Sequence, residues 1–253
     1  MITTEQIKEL RDQTGVSVMQ CKKALEEAGG NMETALMILK KKSTEIAAKK
    51  SDREATNGVV AVEKSGSKAV MLTLRCETDF VAKNSDFTDL AALLAKKALA
   101  GGAIDAENDI NPVIQKVGEN IKLGDIITVE GATIGSYVHG GRSGVVVALT
   151  GGTEDLAKDI AMHIAAMHPE YRTKTDIPAD TRAAVTELCS KEVADLDKPA
   201  EIKQKILDGK IDTYFKERTL VDQAFIKNPD LTVGALLAKA GATLESYSVA
   251  SVA

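Results

Sequence analysis

Leu74-Arg75-Cys76-Glu77-Thr78-Asp79-Phe80-Val81-Ala82-Lys83-Asn84-Ser85-Asp86-Phe87 is the stretch on which the reading of this chain turns. An alternating apolar run precedes it and reads as a strand. After it, Leu90, Leu93, Leu94 and Leu99 recur at helical spacing, so the segment is a strand-to-helix corner. Thr78 or Asp79 can cap a first short turn, and Asn84, Ser85 or Asp86 can cap the longer helix, because each can accept from amides that have no partner at a helix start. Phe80 and Phe87 lie seven apart. On one continuous helix both would share a face and anchor the core, which composition alone favours. The alternative is an Asp79-Phe80 pair on the exposed side of the corner.

The 253 residues suffice for one sizeable core or for two or three small domains. With 44% apolar and 27% charged residues the composition is that of a soluble globular protein, which excludes wholesale disorder. Aromatics make up 3%, Trp is absent and the net charge is -5, so neither stacking platforms nor a basic groove is offered and nucleic acid is not an expected partner. Met1-Ile2-Thr3-Thr4-Glu5-Gln6 lacks a signal pattern, and no apolar run approaches the roughly 20 residues that span a bilayer. The expected location is cytoplasmic, with no membrane partner. Cys21, Cys76 and Cys189 have no paired spacing and read as reduced structural thiols.

Outward from the corner, residues 3 to 42 read as three short helices. Thr3 or Thr4 opens the first, Thr14-Gly15 breaks it, Met19 to Leu25 form the second, Gly29-Gly30 ends that, and Asn31 caps the third. The Lys-rich run from Lys40 to Arg53 reads as a partly helical, solvated linker, since Glu45, Asp52 and Glu54 dilute its basic character. Gly58 to Lys64 and Ala69 to Leu74 flank Ser65-Gly66-Ser67 as a hairpin that feeds the corner. A helix from Pro112 to about Asn120 and a strand from Asp125 to Glu130 follow. The plan then recurs: Gly135 to His139 and Gly144 to Leu149 flank Gly140-Gly141-Arg142-Ser143, and Glu154 opens a helix. Two α+β subdomains with antiparallel sheets are the implied architecture. Val185, Leu188, Ile202, Ile206, Ile211 and Tyr214, on either side of Asp197-Lys198-Pro199, give an antiparallel helical hairpin whose stripe is buried in itself or in a partner. One short helix from Thr232 to Lys239 and a strand from Leu244 to Val252, returning to the second sheet, complete the chain.

Chemistry of the covalent kind has no residue-level support. There is no phosphate-loop motif, and Gly140-Gly141-Arg142-Ser143-Gly144 joins two strands where a dinucleotide site needs a helix start. His163 and His168 are five apart on different helix faces, with no carboxylate to complete a zinc set. His139 ends a strand beside a turn, where a histidine commonly just faces water. No cofactor, metal site or covalent enzyme activity is expected.

Thr78-Asp79-Phe80-Val81-Ala82-Lys83-Asn84 resembles a signature of the elongation factor Ts family, the guanine-nucleotide exchange factors of the translational GTPase EF-Tu. Leu10-Arg11-Asp12-Gln13-Thr14-Gly15-Val16-Ser17-Val18-Met19-Gln20-Cys21-Lys22-Lys23-Ala24-Leu25 resembles that family's amino-terminal motif, and the likeness runs along nearly the whole chain, with a tail after Gly241 that is short for the family. The resemblance implies an α+β protein with a three-helix UBA-like module over 1–42, a charged linker over 43–57, core subdomains over 58–133 and 134–253, and a helical hairpin inserted at 178–217. It implies a translation elongation factor that binds EF-Tu in its GDP-bound and nucleotide-free forms. Thr78, Asp79, Phe80 and Val81 enter near the Mg²⁺ site, Val18, Met19 and Lys22 grip another helix, and Val117 and His139 belong to the same contact surface. The second subdomain holds a separate EF-Tu domain, and residues 178–217 can mediate a homodimer. The competing expectation is a ribosome- or polypeptide-binding module without exchange activity.

Overall fold

A computed structural model describes residues 2–252. Its fold is α+β, with helices first and antiparallel sheets after them. Contacts divide the chain into two compact units. One holds the residues up to Glu130, together with Val138–Gly144 and those from Ser248 onward; the other holds Gly131–Tyr137 and Val145–Tyr247.

The first unit begins with α1 (Thr4–Thr14), α2 (Val18–Glu27) and α3 (Met32–Lys50). Thr3 and Gln6 form a reciprocal capping box at the start of α1, and Gly15 closes that helix with φ 68°, a conformation that a side chain would strain. Ser17 and Asn31 cap the next two helices by accepting from Gln20 and Thr34 amides. Leu10, Val16, Cys21, Ala24, Leu25, Ala35 and Leu39 make the small core between them.

The segment expected to be a partly helical linker is helical as far as Lys50, as the continuation of α3. Its inner side explains this: Ser43 is buried, and Ile46 and Ala47 pack against the core of the first sheet. The remaining residues are also held, since the Asn120 side-chain amide donates to the Arg53 carbonyl at 2.7 Å and to that of Ser51 at 3.3 Å.

β1 (Asn57–Ser65) and β2 (Lys68–Cys76) pair antiparallel about a two-residue loop, with Ser65 opposite Lys68 and Gly66 at φ 55°. After β2 come α4 (Asp79–Ala82), α5 (Ser85–Leu99), a π-helical turn (Ala106–Ile110), α6 (Asn111–Val117) and β3 (Ile121–Glu130), which pairs antiparallel with β2. α6 stops at Gly118, earlier than the sequence suggests, and β3 starts earlier than expected because Ile121 and Leu123 face the core. Leu72, Leu74, Phe87, Leu90, Leu94 and Ile114 are among the residues that seal sheet to helices.

β4 (Thr133–His139) and β5 (Ser143–Thr150) follow, and β8 (Thr243–Ser251) completes a three-stranded sheet of order β4-β5-β8. In the second unit α7 (Glu154–Met167) and α10 (Val233–Lys239) cover Val145, Val147 and Leu149. Gly135 lies so close to α7 that an added Cβ would sit 2.2 Å from the Lys158 backbone nitrogen. α8 (Ala179–Ala194) and α9 (Ala200–Arg218) form the helical hairpin. Val185, Cys189 and Phe215 are buried within it, with Ile211 and Tyr214 packed on them, whereas Leu188 and Ile202 are exposed. A hairpin of β6 (Ala224–Phe225) and β7 (Asn228–Thr232) is too short to have shown in the sequence pattern.

His163 is fully buried on α7. Its Nδ1 accepts from the Ile226 amide at 3.2 Å, so Nε2 carries the proton and donates to Gln223 Oε1 at 2.9 Å. His168 ends the same helix in a left-handed conformation, φ 45°. His163 is thus a structural residue, held on both ring nitrogens.

Two outcomes follow from this packing. Gly135→Ala forces backbone against backbone and is expected to destabilise the protein by about 1–3 kcal/mol, read as a lower denaturant midpoint at unchanged slope. Burial holds the His163 imidazole below its ordinary pKa of 6.5, so as pH falls the unfolded chain takes up this proton first. The site's contribution to stability is complete above that value and is lost as pH drops through the folded one. NMR titration is expected to show His163 still neutral after the pH has passed below 6.5, with the thermal midpoint falling over that same interval and levelling off for this site once the folded imidazole protonates.

Candidate functional site

Strand β2 ends at Cys76, and the chain turns at Thr78, whose extended backbone (φ -123°, ψ 158°) places its hydroxyl oxygen to accept from the Val81 amide at 3.4 Å. That single turn, α4, ends at Lys83. Asn84 then leaves helical geometry (ψ 137°) and caps α5 by accepting from the Asp86 amide at 2.8 Å. The interruption separates the fates of the two rings. Phe87 is 0% exposed in the core, whereas Phe80 is 82% exposed. The reading of both as core anchors thus holds for Phe87 alone, because seven-residue spacing shares a face only along an unbroken helix.

Val81 points inward and is buried beside Leu90 and Leu94, so among the expected contact residues it serves as the internal anchor of the turn. Asp79 is exposed and pairs with Lys83 Nζ at 2.8 Å. The Lys83 hydrogen bond, then its charge, hold the Asp79 carboxyl below the usual range, with a smaller contribution from Arg142 in the same direction.

The corner is braced from two sides. The Glu119 carboxylate accepts from the Thr78 amide at 3.0 Å and from its hydroxyl at 2.6 Å. In return, Glu77 Oε1 accepts from the Asn120 amide at 2.7 Å, and the Glu77 carbonyl accepts from the Asn57 side chain at 2.9 Å. The buried Cys76 thiol donates to the Thr78 carbonyl at 3.2 Å. Burial, then the nearby Glu119 charge, push its pKa up to about 12, so it stays a protonated donor. Glu77, Glu119 and Asn120 escaped sequence reasoning because their partnership spans 41 to 43 residues; Gly118 marks only a helix end.

The turn carrying His139 meets the same unit: Gly141 accepts through its carbonyl from the Val60 amide at 2.7 Å, and His139 is exposed at the end of β4. Between this turn and the corner, Gly58, Asp79, Lys83, Gly140 and Arg142 line a cleft of about 100 Å³. Pockets that enclose a small molecule run to about 300–1,000 Å³, so this cleft is small for a ligand pocket and Phe80 protrudes beside it.

On the bundle, Val18 and Met19 open α2 with exposed side chains, and Lys22 is exposed beside Glu26 at 3.8 Å. Val117 is half-buried against the first-sheet core, which leaves it only a partial surface. Among the described residues no group of three His, Cys, Asp or Glu could hold a metal ion, and no helix is long and apolar enough to cross a membrane.

Residues 77–253 match the family model described as Elongation factor TS. Elongation factor Ts of Pseudomonas fluorescens (strain SBW25) is 39% identical over 258 residues, an alignment covering 98% of this chain and 89% of that protein. The Elongation factor Ts of Marinobacter nauticus is 42% identical over 257 residues, with 97% and 89% covered, and that of Alcanivorax borkumensis is 40% identical over 258, with 95% and 90% covered. With an exposed Asp-Phe corner, a capped helical bundle and this breadth of similarity, the chain belongs to the elongation factor Ts family of translation elongation factors.

Proposed function

We propose that this protein binds EF-Tu·GDP in the cytoplasm and promotes release of GDP, leaving a nucleotide-free complex that GTP resolves. The observation that carries the reading is the Phe80 ring, 82% exposed on a one-turn helix that is capped and braced from below. A large apolar side chain held in water by a rigid support is disfavoured in isolation and favoured against an apolar partner surface. In this reading Asp79 and Phe80 enter between two helices of the EF-Tu nucleotide domain near its Mg²⁺ site, and moving those helices loosens the metal and the phosphate-binding loop.

Magnitudes require a distributed grip. A ~10⁴-fold acceleration corresponds to about 5.5 kcal/mol, while burial of one Phe contributes about 1.5–3 kcal/mol. Val18, Met19 and Lys22 on the bundle, His139 and the second subdomain contribute the rest, provided their contacts favour the nucleotide-free conformation. No covalent step is involved. Exposed Leu188 and Ile202 on the helical hairpin support pairing with a second copy through 178–217 as an additional contact.

Stopped-flow release of a fluorescent GDP from EF-Tu tests the lever. Phe80→Ala is expected to slow stimulated release at least about tenfold, with the thermal melt unchanged because the ring is already in water. Unaltered release would remove Phe80 from the mechanism. Met19→Asp is expected to raise the concentration of factor needed for half-maximal stimulation, by about tenfold for a lost apolar contact, while the maximal rate is retained. An unmoved half-maximal concentration would take α2 out of the interface.

A further inference from the structure

We infer that Glu119 is a positioning residue for nucleotide exchange, acting through Thr78 to hold the Phe80 ring in its outward orientation; this rests on the exchange reading above. Thr78 has two hydrogen-bond donors and one duty. Its oxygen must keep a lone pair toward the Val81 amide, which is the side-chain cap of the one-turn helix bearing Phe80. The Glu119 carboxylate takes both donors, the hydroxyl hydrogen at 2.6 Å and the backbone amide at 3.0 Å. With the hydroxyl hydrogen committed to Glu119, the remaining lone pairs face the cap. A carboxylate acceptor makes these bonds stronger than neutral ones.

The brace is tied to a second region. Asn120, next in sequence and buried, donates through its backbone to Glu77 at 2.7 Å and through its side chain to the Arg53 carbonyl at 2.7 Å, just beyond α3. Arg53 in turn lies 3.5 Å from Glu77. The corner is therefore fixed against the segment that leaves the helical bundle, so a partner held by the bundle meets the ring at a set position. A helix of four residues has little stability of its own, because nucleation costs exceed what one turn returns. Without Glu119 the turn bearing Phe80 opens more often and the ring samples unproductive directions.

The test is a double-mutant cycle on the full-length protein, with hydrogen exchange alongside. Glu119→Ala is expected to raise amide exchange across residues 78–84 about tenfold with the global melt retained. It should lower the maximal stimulated GDP release about five- to twentyfold, with the half-maximal concentration nearly unmoved. In a Phe80→Ala background the same substitution should cost less than about twofold, because the two act in one chain of effect. Glu119→Gln, whose single carbonyl oxygen can accept from one of the two Thr78 donors while its NH2 puts a donor where the second acceptor stood, should fall between. Unchanged exchange at 78–84, or an equal loss in both backgrounds, would overturn the inference. If the unsubstituted protein fails to accelerate GDP release, the exchange reading falls instead, and the hydrogen-exchange arm alone decides whether Glu119 holds the corner.

Discussion

One residue taken out of helical geometry, Asn84, governs what this surface can do. Were the chain helical from Asp79 to Leu99 without interruption, Phe80 and Phe87 would share a face, and burying one would bury both. Asn84 breaks the register, and its side chain satisfies the Asp86 amide that the break leaves without a partner. Phe87 then seals the first sheet while Phe80 stands in water. Leaving that ring outside forgoes about 1.5–3 kcal/mol of burial, against a net stability of about 5–15 kcal/mol for a folded domain. Val81 on the same short turn restores part of this by packing inward, so the corner is anchored by one apolar residue and armed with the next.

How legible this was in the sequence follows the range of the interactions involved. Caps and breaks are local: Gly15 and Asn31 were readable from their neighbours alone, while the first cap was narrowed to Thr3 or Thr4 and that of α5 to Asn84, Ser85 or Asp86, from which the fold selects Thr3 and Asn84. The first hairpin was readable because alternation and a Gly-bearing turn agree. The segment from Lys40 to Lys50 read as only partly helical because five lysines dominate its composition, whereas its course is decided by the narrow stripe of Ser43, Ile46 and Ala47 on the inner side. The orientation of Phe80 was undecidable locally, since the same spacing serves a core anchor or an exposed ring. Glu119 carried no signal at all: an acidic residue after a helix-ending glycine is ordinary until the fold brings it to Thr78.

Rigidity matters here as much as exposure. A ring on a mobile loop would have to be ordered on docking, at about 0.5–1.5 kcal/mol per side chain and more for the backbone beneath it. The corner has met that cost during folding through the Thr78 cap, the Glu119 and Glu77 carboxylates and the Cys76 thiol. The thiol's pKa of about 12 keeps it a neutral donor throughout the physiological range. In the proposed exchange role, contact energy from Phe80 would then be available to shift the partner's conformation and would not be consumed in ordering the factor itself.

Reciprocity bounds how strong such a lever can be. Coupling between two ligands of one protein is reciprocal, so a factor that expels GDP is itself expelled by nucleotide and Mg²⁺ to the same degree. A larger apolar plug would hold the nucleotide-free state more tightly and would slow its resolution by GTP. In the proposed exchange role a single ring on a single turn would supply a modest share of the coupling, and contacts spread over the bundle and the second subdomain would supply specificity without all resting on the nucleotide pocket. Under the proposed function, an exchange factor that turns over benefits from a small, stiff wedge on a broad base, and an exposed Phe80 beside a buried Phe87 would give this chain one.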